Sequence, residues 1–383
     1  MPLFVFAHFA HHLLTALPIP LLPMIRSNFD LDYTQAGFVV SAFTLAYGFS
    51  QIPSGWLSDR IGPRIMITIS ICGLGAAGLL IGLSQTYIML IVFLALMGIL
   101  GGGYHPASPP MISAAVGPTK RGQALGLHMV GGSASNFLSP LIAAAIAATW
   151  GWRGAFTGLA IPSIILGIIF FIILGRWEQT KKAEDKVVSY PIEAPSLPVR
   201  RRRLVTFLIF VTLIQAVLLS TIAFIPLFLV DHFGMSQEAA AASIALIYSA
   251  GFWAGPLGGY LSDRFGRITV LLATWLFAGP AIYLLNVVPP GLGISAVLAL
   301  IGTTIFARSP IAQAYLVENT SERNRSTILG IFFFGGMEGS GILTPVTGYL
   351  IDRLGFYYSF TITSAILLIM TLIGSILLRG SRD

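Results

Sequence analysis

Residues 55–62 read GWLSDRIG, and residues 259–266 read GYLSDRFG, 204 positions further along the chain. The same offset aligns other landmarks: Pro106 with Pro310, Arg121 with Arg325, Gly126 with Gly330, Gly131 and Gly132 with Gly335 and Gly336, and Gly151 with Gly355. One register held over so many positions indicates an internal repeat, which a single short match would not. The octapeptides therefore predict two copies of one structural unit.

The composition excludes a water-soluble chain. Only 10% of the 383 residues are charged and 55% are hydrophobic, whereas soluble globular proteins carry about 25% charged residues. A disordered protein, a nucleic-acid binder and a cytosolic enzyme all fit this balance poorly. The single cysteine, Cys72, excludes a disulfide framework or a thiolate metal site within one chain. We therefore expect a polytopic membrane protein.

Apolar stretches long enough to span a bilayer can be marked twelve times. They cover residues 3–25, 34–57, 65–83, 87–115, 123–148, 154–174, 204–230, 237–261, 268–288, 292–317, 327–350 and 357–378. The sequence thus predicts an all-α membrane protein of twelve transmembrane helices in two pseudo-symmetric six-helix bundles. The predicted domains are an N-terminal bundle at 1–174, a charged and proline-containing cytoplasmic linker at 175–203, and a C-terminal bundle at 204–383.

Positive charge is distributed unevenly over the predicted loops. Of the 22 lysines and arginines, 18 lie in one set of loops and in the C-terminal tail. Because cytoplasmic loops carry the excess of positive charge, both termini and the linker are predicted to be cytoplasmic. The short outer loops favour a bacterial inner membrane, and the arginines at 200–203 are expected to lie at anionic headgroups.

The repeated Gly-x-x-x-Asp-Arg-x-Gly pattern resembles the signature loop of the major facilitator superfamily, and the Gly151-Trp152-Arg153 turn is similar to that family too. Within it, Tyr104-His105-Pro106, residues 121–123 (RGQ) and the glycines at 131 and 132 resemble the fosmidomycin-resistance type of exporter. The resemblance implies the major facilitator fold, with alternating access to a central site between two parallel repeats. It also implies a transporter; we expect that the chain is not an enzyme and has no cofactor.

The resemblance further implies that the two octapeptide loops form a cytoplasmic gate. Its candidate residues are Gly55, Asp59, Arg60, Gly62 and Arg64 in the first copy, and Gly259, Asp263, Arg264, Gly266 and Arg267 in the second. The first glycine of each copy is expected to allow close helix packing, the last to allow a tight turn, and the aspartate to meet a helix N-terminus. Alternatively, the arginines only fix topology. Pro63 stands where the family usually has a basic residue, so the first loop is expected to use a different partner.

Ionisable residues within predicted spans are functional candidates because they are costly in hydrocarbon. The repeat offset aligns Tyr104 and His105 with Arg308 and Ser309, and it aligns His11 with Gln215. We predict that Arg308, His105, Tyr104, His11 and Gln215 bind substrate, with Arg308 suited to an anion. Two alternatives to substrate binding remain open. The histidines of the first helix contact water or lipid headgroups, or His105 is a structural residue that is hydrogen-bonded to a neighbouring helix.

Glu338 lies between glycines in the middle of a predicted span. It is a candidate carrier of a coupling proton, together with His105, or else a partner that neutralises Arg308. His128 is interpreted as a packing residue. These assignments leave both a functional and a structural interpretation open for each charge.

The leading functional hypothesis is proton-coupled export of small organic compounds or drugs by antiport. The alternative is an importer or exchanger of small organic anions that uses Arg308. A membrane enzyme or receptor is disfavoured, because the sequence has no recognisable nucleophile–base pair, metal-ligand cluster or phosphate-binding loop. The expected partners are a small-molecule substrate, protons and the lipid bilayer, with no metal and no nucleic acid, and the chain is expected to be a monomer.

Overall fold

The computed structural model describes residues 1–116, 121–182, 201–320 and 322–378. Those residues form α-helices, one 3₁₀ turn and connecting loops, and no β-strand occurs among them. The all-α prediction is confirmed. Residues 183–200, which make up most of the predicted linker, lie outside the described part. One helix ends at Lys182 and the next begins at Arg201, so helices extend into both ends of the predicted linker.

The helices of the two sequence repeats follow one another in chain order. The first repeat contains α1 (Pro2–Thr15), α2 (Leu22–Phe29), α3 (Tyr33–Ile61), α4 (Pro63–Gly82), α5 (Tyr87–Gly101), α6 (Tyr104–Ala115) and α7 (Arg121–Lys182). The second contains α8 (Arg201–Ile222), α9 (Ile225–Phe233), α10 (Gln237–Ser249), α11 (Ala254–Phe265), α12 (Arg267–Leu284), α13 (Leu292–Glu318) and α14 (Glu322–Leu378). The long helices α7 and α14 are each two helices joined at a kink, where Gly151 and Gly355 have φ of 68° and 76°. The two kinks thus lie at equivalent positions of the two repeats and have similar backbone conformations.

Several predicted spans are broken where the sequence concentrates glycine or proline. The stretch 3–25 divides into α1 and α2 at a segment that contains Pro18 and Pro20, because proline cannot donate a helical hydrogen bond. The stretch 87–115 divides into α5 and α6 at Gly102 and Gly103. Its counterpart α13 remains one helix through Pro310.

Eight helices within the described ranges are long and apolar enough to cross a membrane. Two of them, Ala124–Arg176 and Ile328–Leu378, contain the kinks at residues 151 and 355. The chain is therefore a multi-pass membrane protein. The count of twelve spans stays a prediction.

The chain divides into two compact units. Unit 1 comprises Met1–Phe29, Ala42–Glu193 and Gln237–Ala242, and unit 2 comprises Asp30–Ser41, Ala194–Ser236 and Ser243–Asp383. In unit 1, Phe4, Ile67, Tyr104, Ile112 and Phe170 belong to one buried apolar cluster that joins α1, α4, α6 and α7. This cluster fixes the helices that carry the first group of candidate site residues.

The start of α3 belongs to unit 2 for a specific reason. The carboxylate of Asp352 on α14 accepts hydrogen bonds from the backbone N–H groups of Tyr33 and Thr34, both at 2.9 Å, and from the Thr34 hydroxyl at 2.5 Å. An acidic side chain at a helix N-terminus satisfies free N–H groups and favours the helix dipole. Asp352 therefore caps α3 from a distant part of the sequence.

Candidate functional site

Five of the six histidines of the chain converge in unit 1, on α1, α6 and α7. The rings of His8 and His128 stack with centroids 4.1 Å apart, and His8 lies 4.8 Å from His12 and 5.5 Å from His105. The ring of His11 lies 5.3 Å from that of His105. We call His8, His11, His12, His105 and His128 the histidine cluster. It contains the predicted site residues His11 and His105 and three further members, His8, His12 and His128.

Hydrogen bonds orient several rings of the histidine cluster. His8 Nδ1 lies 2.9 Å from the carbonyl oxygen of His128, and His128 Nδ1 lies 3.2 Å from that of Phe4. Because a carbonyl only accepts, both Nδ1 atoms donate. His11 Nε2 shares a 2.9 Å hydrogen bond with the Tyr47 hydroxyl. The cluster is thus an ordered arrangement of rings.

Burial distinguishes the members of the histidine cluster. His8 and His11 are 1% and 0% exposed, whereas His12 and His105 are partly exposed. The predicted site residue Tyr104 is also buried and stacks on His11 with a centroid distance of 4.4 Å. The first-helix histidines His8 and His11 therefore lie inside unit 1, away from its surface.

A glycine on α7 makes room for His8. A Cβ atom at residue 132 would lie 2.6 Å from His8 Cε1 and 2.8 Å from His8 Nε2, closer than real Cβ contacts. The absence of a side chain at Gly132 is therefore needed for α1 and α7 to pack with this imidazole between them.

The second group of predicted site residues lies in unit 2, on α8, α13 and α14. Arg308 is 3% exposed, its Nη1 donates to the Val211 carbonyl at 3.3 Å, and its Cζ lies 6.0 Å from the centre of the Phe332 ring. Among the described residues, its Nε has no hydrogen-bond partner. A buried guanidinium with an unused donor is an expensive group in an apolar environment.

Gln215 and Glu338 lie on the helices beside α13. A Cβ at Gly336 would lie 2.6 Å from Cδ of Gln215, so α8 and α14 also approach through a glycine. Glu338 is 6% exposed. The structure thus places Arg308, Gln215 and Glu338 inside unit 2, as it places His11, Tyr104 and His105 inside unit 1. Substrate binding and proton coupling by these residues stay predictions.

The second octapeptide loop contains an ion-pair network. The guanidinium of Arg267 pairs with Asp263 and, at 2.8 Å, with Glu318 at the end of α13, and it donates to the Ser262 hydroxyl at 2.7 Å. Arg264 lies over the Phe265 ring at 5.4 Å. Gly266 has φ of 89° and precedes α12 directly, which is the tight turn expected of it.

The first octapeptide loop differs at the same positions. Asp59 is exposed, and Arg60 stacks on Trp56 with its Cζ 3.7 Å from the ring centre. Arg64 donates to the Phe171 carbonyl on α7 at 3.1 Å and lies over the Phe171 ring. Pro63 occupies the position that Arg267 holds in the second loop, and the use of a different gate partner in the first loop stays a prediction. Gly62 turns the chain with φ of 90°.

The close packing expected at the first glycine of each loop is found in neither copy. A Cβ at Gly55 would lie 3.5 Å from Pro106 Cβ, which is ordinary contact, whereas at Gly259 it would meet nothing within 4 Å. The close approach in the second copy occurs one residue earlier, where a Cβ at Gly258 would lie 2.6 Å from the Ala307 carbonyl oxygen. The packing expected of Gly259 is therefore made by Gly258, and the gating role of both loops stays a prediction.

Sequence reasoning missed part of the histidine cluster. His128, interpreted as a packing residue, stacks on His8, and Tyr47, which no sequence feature indicates, bonds to the predicted site residue His11. Sequence spacing places His8 and His12 on one helical face, but only the packing of α1 against α6 and α7 brings His105 and His128 to them. No local pattern in the sequence indicates that contact.

Comparisons with known proteins agree on one family. The model of the Major Facilitator Superfamily matches residues 4–307 and 249–383. The probable sulfoacetate transporter SauU of Cupriavidus necator is 26% identical over 367 residues, which cover 90% of this chain and 85% of that protein. The multidrug resistance protein MdtG of Escherichia coli is 27% identical over 364 residues, covering 92% of this chain and 88% of that protein.

Solved structures support the fold. A bacterial homologue of the human lysosomal transporter Spinster, in an inward-facing and occupied conformation, matches with a TM-score of 0.80 at 17% identity, covering 98% of this chain and 95% of that one. A mutant of the nucleoside transporter NupG also gives a TM-score of 0.80, at 12% identity, covering 98% of this chain and 99% of that one. The expected fold class is confirmed, and the function is transport rather than catalysis. The chain belongs to the Major Facilitator Superfamily.

Proposed function

We propose that this protein is a secondary active transporter of small organic anions, working by alternating access, and that Arg308 binds the negative group. The observation that supports this is the burial of the Arg308 guanidinium with its Nε unused among the described residues. A guanidinium stays charged and offers several N–H donors in a planar fork, which suits carboxylate, sulfonate and phosphate groups. An anion at this position would satisfy the remaining donor and offset the cost of burying the charge.

Neighbouring groups suit a small polar ligand. Gln215 Oε1 is buried and has no hydrogen-bond partner among the residues described, so it is an acceptor available to a ligand hydroxyl or amide. The Phe332 ring beside Arg308 supplies an apolar surface. We propose that Gln215 contacts the substrate together with Arg308, while substrate contacts of His11, Tyr104 and His105 stay predictions.

The relatives agree with a solute of this class. SauU is named as a probable transporter of sulfoacetate, which is an organic anion. MdtG is named as a multidrug resistance protein, which favours a second candidate function: proton-coupled export of small organic compounds by antiport. In that candidate, the buried carboxyl of Glu338 carries the proton, with His105 as the other predicted participant.

We further propose a bacterial inner-membrane location with both termini cytoplasmic, because positive charge is concentrated on that side.

Transport by purified protein in proteoliposomes tests the anion proposal. Uptake of a panel of sulfonates and carboxylates is compared with uptake of neutral and cationic drugs. Arg308→Ala is expected to lower anion uptake roughly 100-fold, because losing one partner of a buried charge pair costs about 2–5 kcal/mol. Arg308→Lys keeps the charge but not the fork, so it is expected to retain part of the activity.

The matched control is Arg153→Lys. Arg153 is bonded to the Ser84 carbonyl and to Asn28, so it is expected to act structurally and to leave anion uptake intact. Normal anion uptake by Arg308→Ala would refute the proposal. An imposed proton gradient separates the two candidates: antiport accumulates substrate on the acidic side and symport moves it the other way, and Glu338→Gln should abolish either response if this acid carries the proton.

A further inference from the structure

We propose that His8, His12 and His105 form a binding site for a first-row transition-metal dication such as Zn²⁺. One ring nitrogen from each residue can be chosen so that all three lie within 4.8 Å of one another. Two of the residues come from successive turns of α1 and the third from α6. The site goes beyond the transport of organic anions, since it lies in unit 1 and does not involve Arg308.

The spacing is close to that of a metal-bound triad. Three imidazole nitrogens with bonds of about 2.1 Å to a tetrahedral zinc ion lie about 3.4 Å apart. The three nitrogens therefore have to approach one another by roughly 1.5 Å at most, a change within reach of small side-chain rotations. Three histidines leave one position for water, as in zinc sites with three protein ligands.

The hydrogen bonding of His8 leaves it one unprotonated ring nitrogen. Its Nδ1 donates to the His128 carbonyl at 2.9 Å, so in the neutral ring Nε2 carries a lone pair. That Nε2 is buried and has no hydrogen-bond partner in the described part of the chain. Metal-bound histidines generally donate their other N–H to a carbonyl or carboxylate, which fixes the ring and its tautomer. His8 has this arrangement before any metal is bound.

His12 and His105 complete the triad and give access to it. His12 Nδ1 lies 3.3 Å from the Thr15 hydroxyl, and with Nδ1 as the donor of that hydrogen bond Nε2 carries the lone pair that a metal needs. Both rings are partly exposed, whereas His8 is buried, so an ion can reach the site past them. The triad is thus open on one side and anchored on the other.

The ligand set defines the class of ion. The rings next to the triad are His11, Tyr104 and His128, so the site offers uncharged nitrogen ligands. Imidazole suits Zn²⁺, Co²⁺, Ni²⁺ and Cu²⁺, while Mg²⁺ and Ca²⁺ prefer oxygen ligands. We therefore expect Zn²⁺ to bind and Mg²⁺ to have no effect.

Metal binding by the full chain tests the site. The protein is purified with an affinity tag that contains no histidine, and Zn²⁺ binding is measured by calorimetry and by metal analysis after desalting. One Zn²⁺ per chain is expected, with the dissociation constant raised roughly tenfold or more by His8→Gln, His12→Gln or His105→Gln. The matched control is His232→Gln, because His232 is the remaining histidine of the chain and is exposed on α9.

Two measurements on the unaltered protein keep the proposal testable if a variant fails to fold. Bound Co²⁺ should give the visible absorption of a tetrahedral nitrogen site, and an excess of Mg²⁺ should not displace bound Zn²⁺, because Mg²⁺ prefers oxygen ligands. Absence of stoichiometric Zn²⁺ binding by the wild type would overturn the proposal. Equal loss of binding in His232→Gln would overturn it too.

Discussion

The histidine cluster of unit 1 and the Arg308 region of unit 2 occupy corresponding positions of the two repeats but carry different chemistry. Tyr104 corresponds to Arg308, and His128 corresponds to Phe332. In unit 1 the Tyr104 ring lies 5.9 Å from His128, and in unit 2 the Arg308 guanidinium lies 6.0 Å from Phe332. The repeat thus keeps the positions of neighbouring side chains, while one region holds imidazoles and the other a guanidinium.

What the two regions share is backbone geometry. Gly132 and Gly336 both lie where a helix packs against a large polar side chain, and a Cβ at either position would come within 2.6 Å of it. The neighbours differ, since Gly132 meets the ring of His8 and Gly336 meets the amide end of Gln215. The comparison indicates that small residues set the helix packing, and that the side chains opposite them determine what each site can bind.

The largest expected effect comes from adding a side chain at Gly132, with Gly336 as its counterpart in the second repeat. Gly132→Ala is expected to lower the free energy of unfolding by about 1–3 kcal/mol, because the rigid His8 ring is held by its bond to residue 128 and cannot move aside. Gly336→Ala should cost less than about 1 kcal/mol, because the end of Gln215 can rotate away. Thermal unfolding of both variants in one detergent measures the difference.

Gly126→Ala is the control for these substitutions. It lies on the same helix as Gly132, it is exposed, and a Cβ there would meet nothing within 4 Å. Replacing a helical glycine by alanine then gains roughly 0.5–1 kcal/mol from backbone entropy alone. Equal stability of Gly132→Ala and Gly126→Ala would show that His8 is free to move, which would contradict the ordered histidine cluster.

An intermediate effect is expected from two buried tyrosines that contact His11. Tyr47→Phe removes the hydroxyl that bonds to His11 Nε2, which should cost about 1–2 kcal/mol because a buried nitrogen loses its partner. Tyr104→Phe is matched in size and burial, but the Tyr104 hydroxyl has no hydrogen-bond partner among the described residues. This variant should therefore be neutral or slightly stabilising.

Thermal unfolding of the two tyrosine variants is compared at one pH and one detergent concentration. The result sharpens the comparison of the two regions, because the position of Tyr47 is taken in the second repeat by Gly251 and unit 2 has no counterpart of this bond. A larger loss for Tyr104→Phe than for Tyr47→Phe would refute the assigned hydrogen bonding.

The sequence repeat predicted the fold because it consists of local sequence features, each of which determines the backbone conformation at its own position. Gly62, Gly151, Gly266 and Gly355 turn the chain at the offset expected, and each adopts positive φ, which depends on the residue itself. The break between α1 and α2 was not predicted, because apolar periodicity and length alone do not distinguish a continuous span from one interrupted near Pro18.

The candidate sites were predictable only in part. Arg308 and Glu338 stand out in sequence because a charge in an apolar stretch is conspicuous, and both are buried in the structure. The triad of His8, His12 and His105 was not foreseen, since an interaction between residues almost a hundred positions apart depends on how α1 packs on α6. The capping of α3 by Asp352 was missed for the same reason.

The smallest expected effect concerns the two octapeptide loops, where the repeats differ again. Asp263→Asn removes a partly exposed ion pair with Arg267 and is expected to lower the free energy of unfolding by roughly 0.2–1 kcal/mol. Asp59→Asn is the matched variant in the first loop, where Pro63 replaces the basic residue and Asp59 is exposed. It should leave stability unchanged.

Salt separates this interpretation from a simple packing effect. Raising ionic strength screens exposed ion pairs, so the difference between Asp263→Asn and the wild type should shrink in high salt, while Asp59→Asn should show no difference at either concentration. Because Glu318 also binds Arg267 and its counterpart in the first repeat is Ala114, Glu318→Gln should show the same salt dependence as Asp263→Asn. Identical responses of Asp59→Asn and Asp263→Asn would show that the two loops are held alike despite Pro63, and the contrast between the repeats would then be confined to the buried sites.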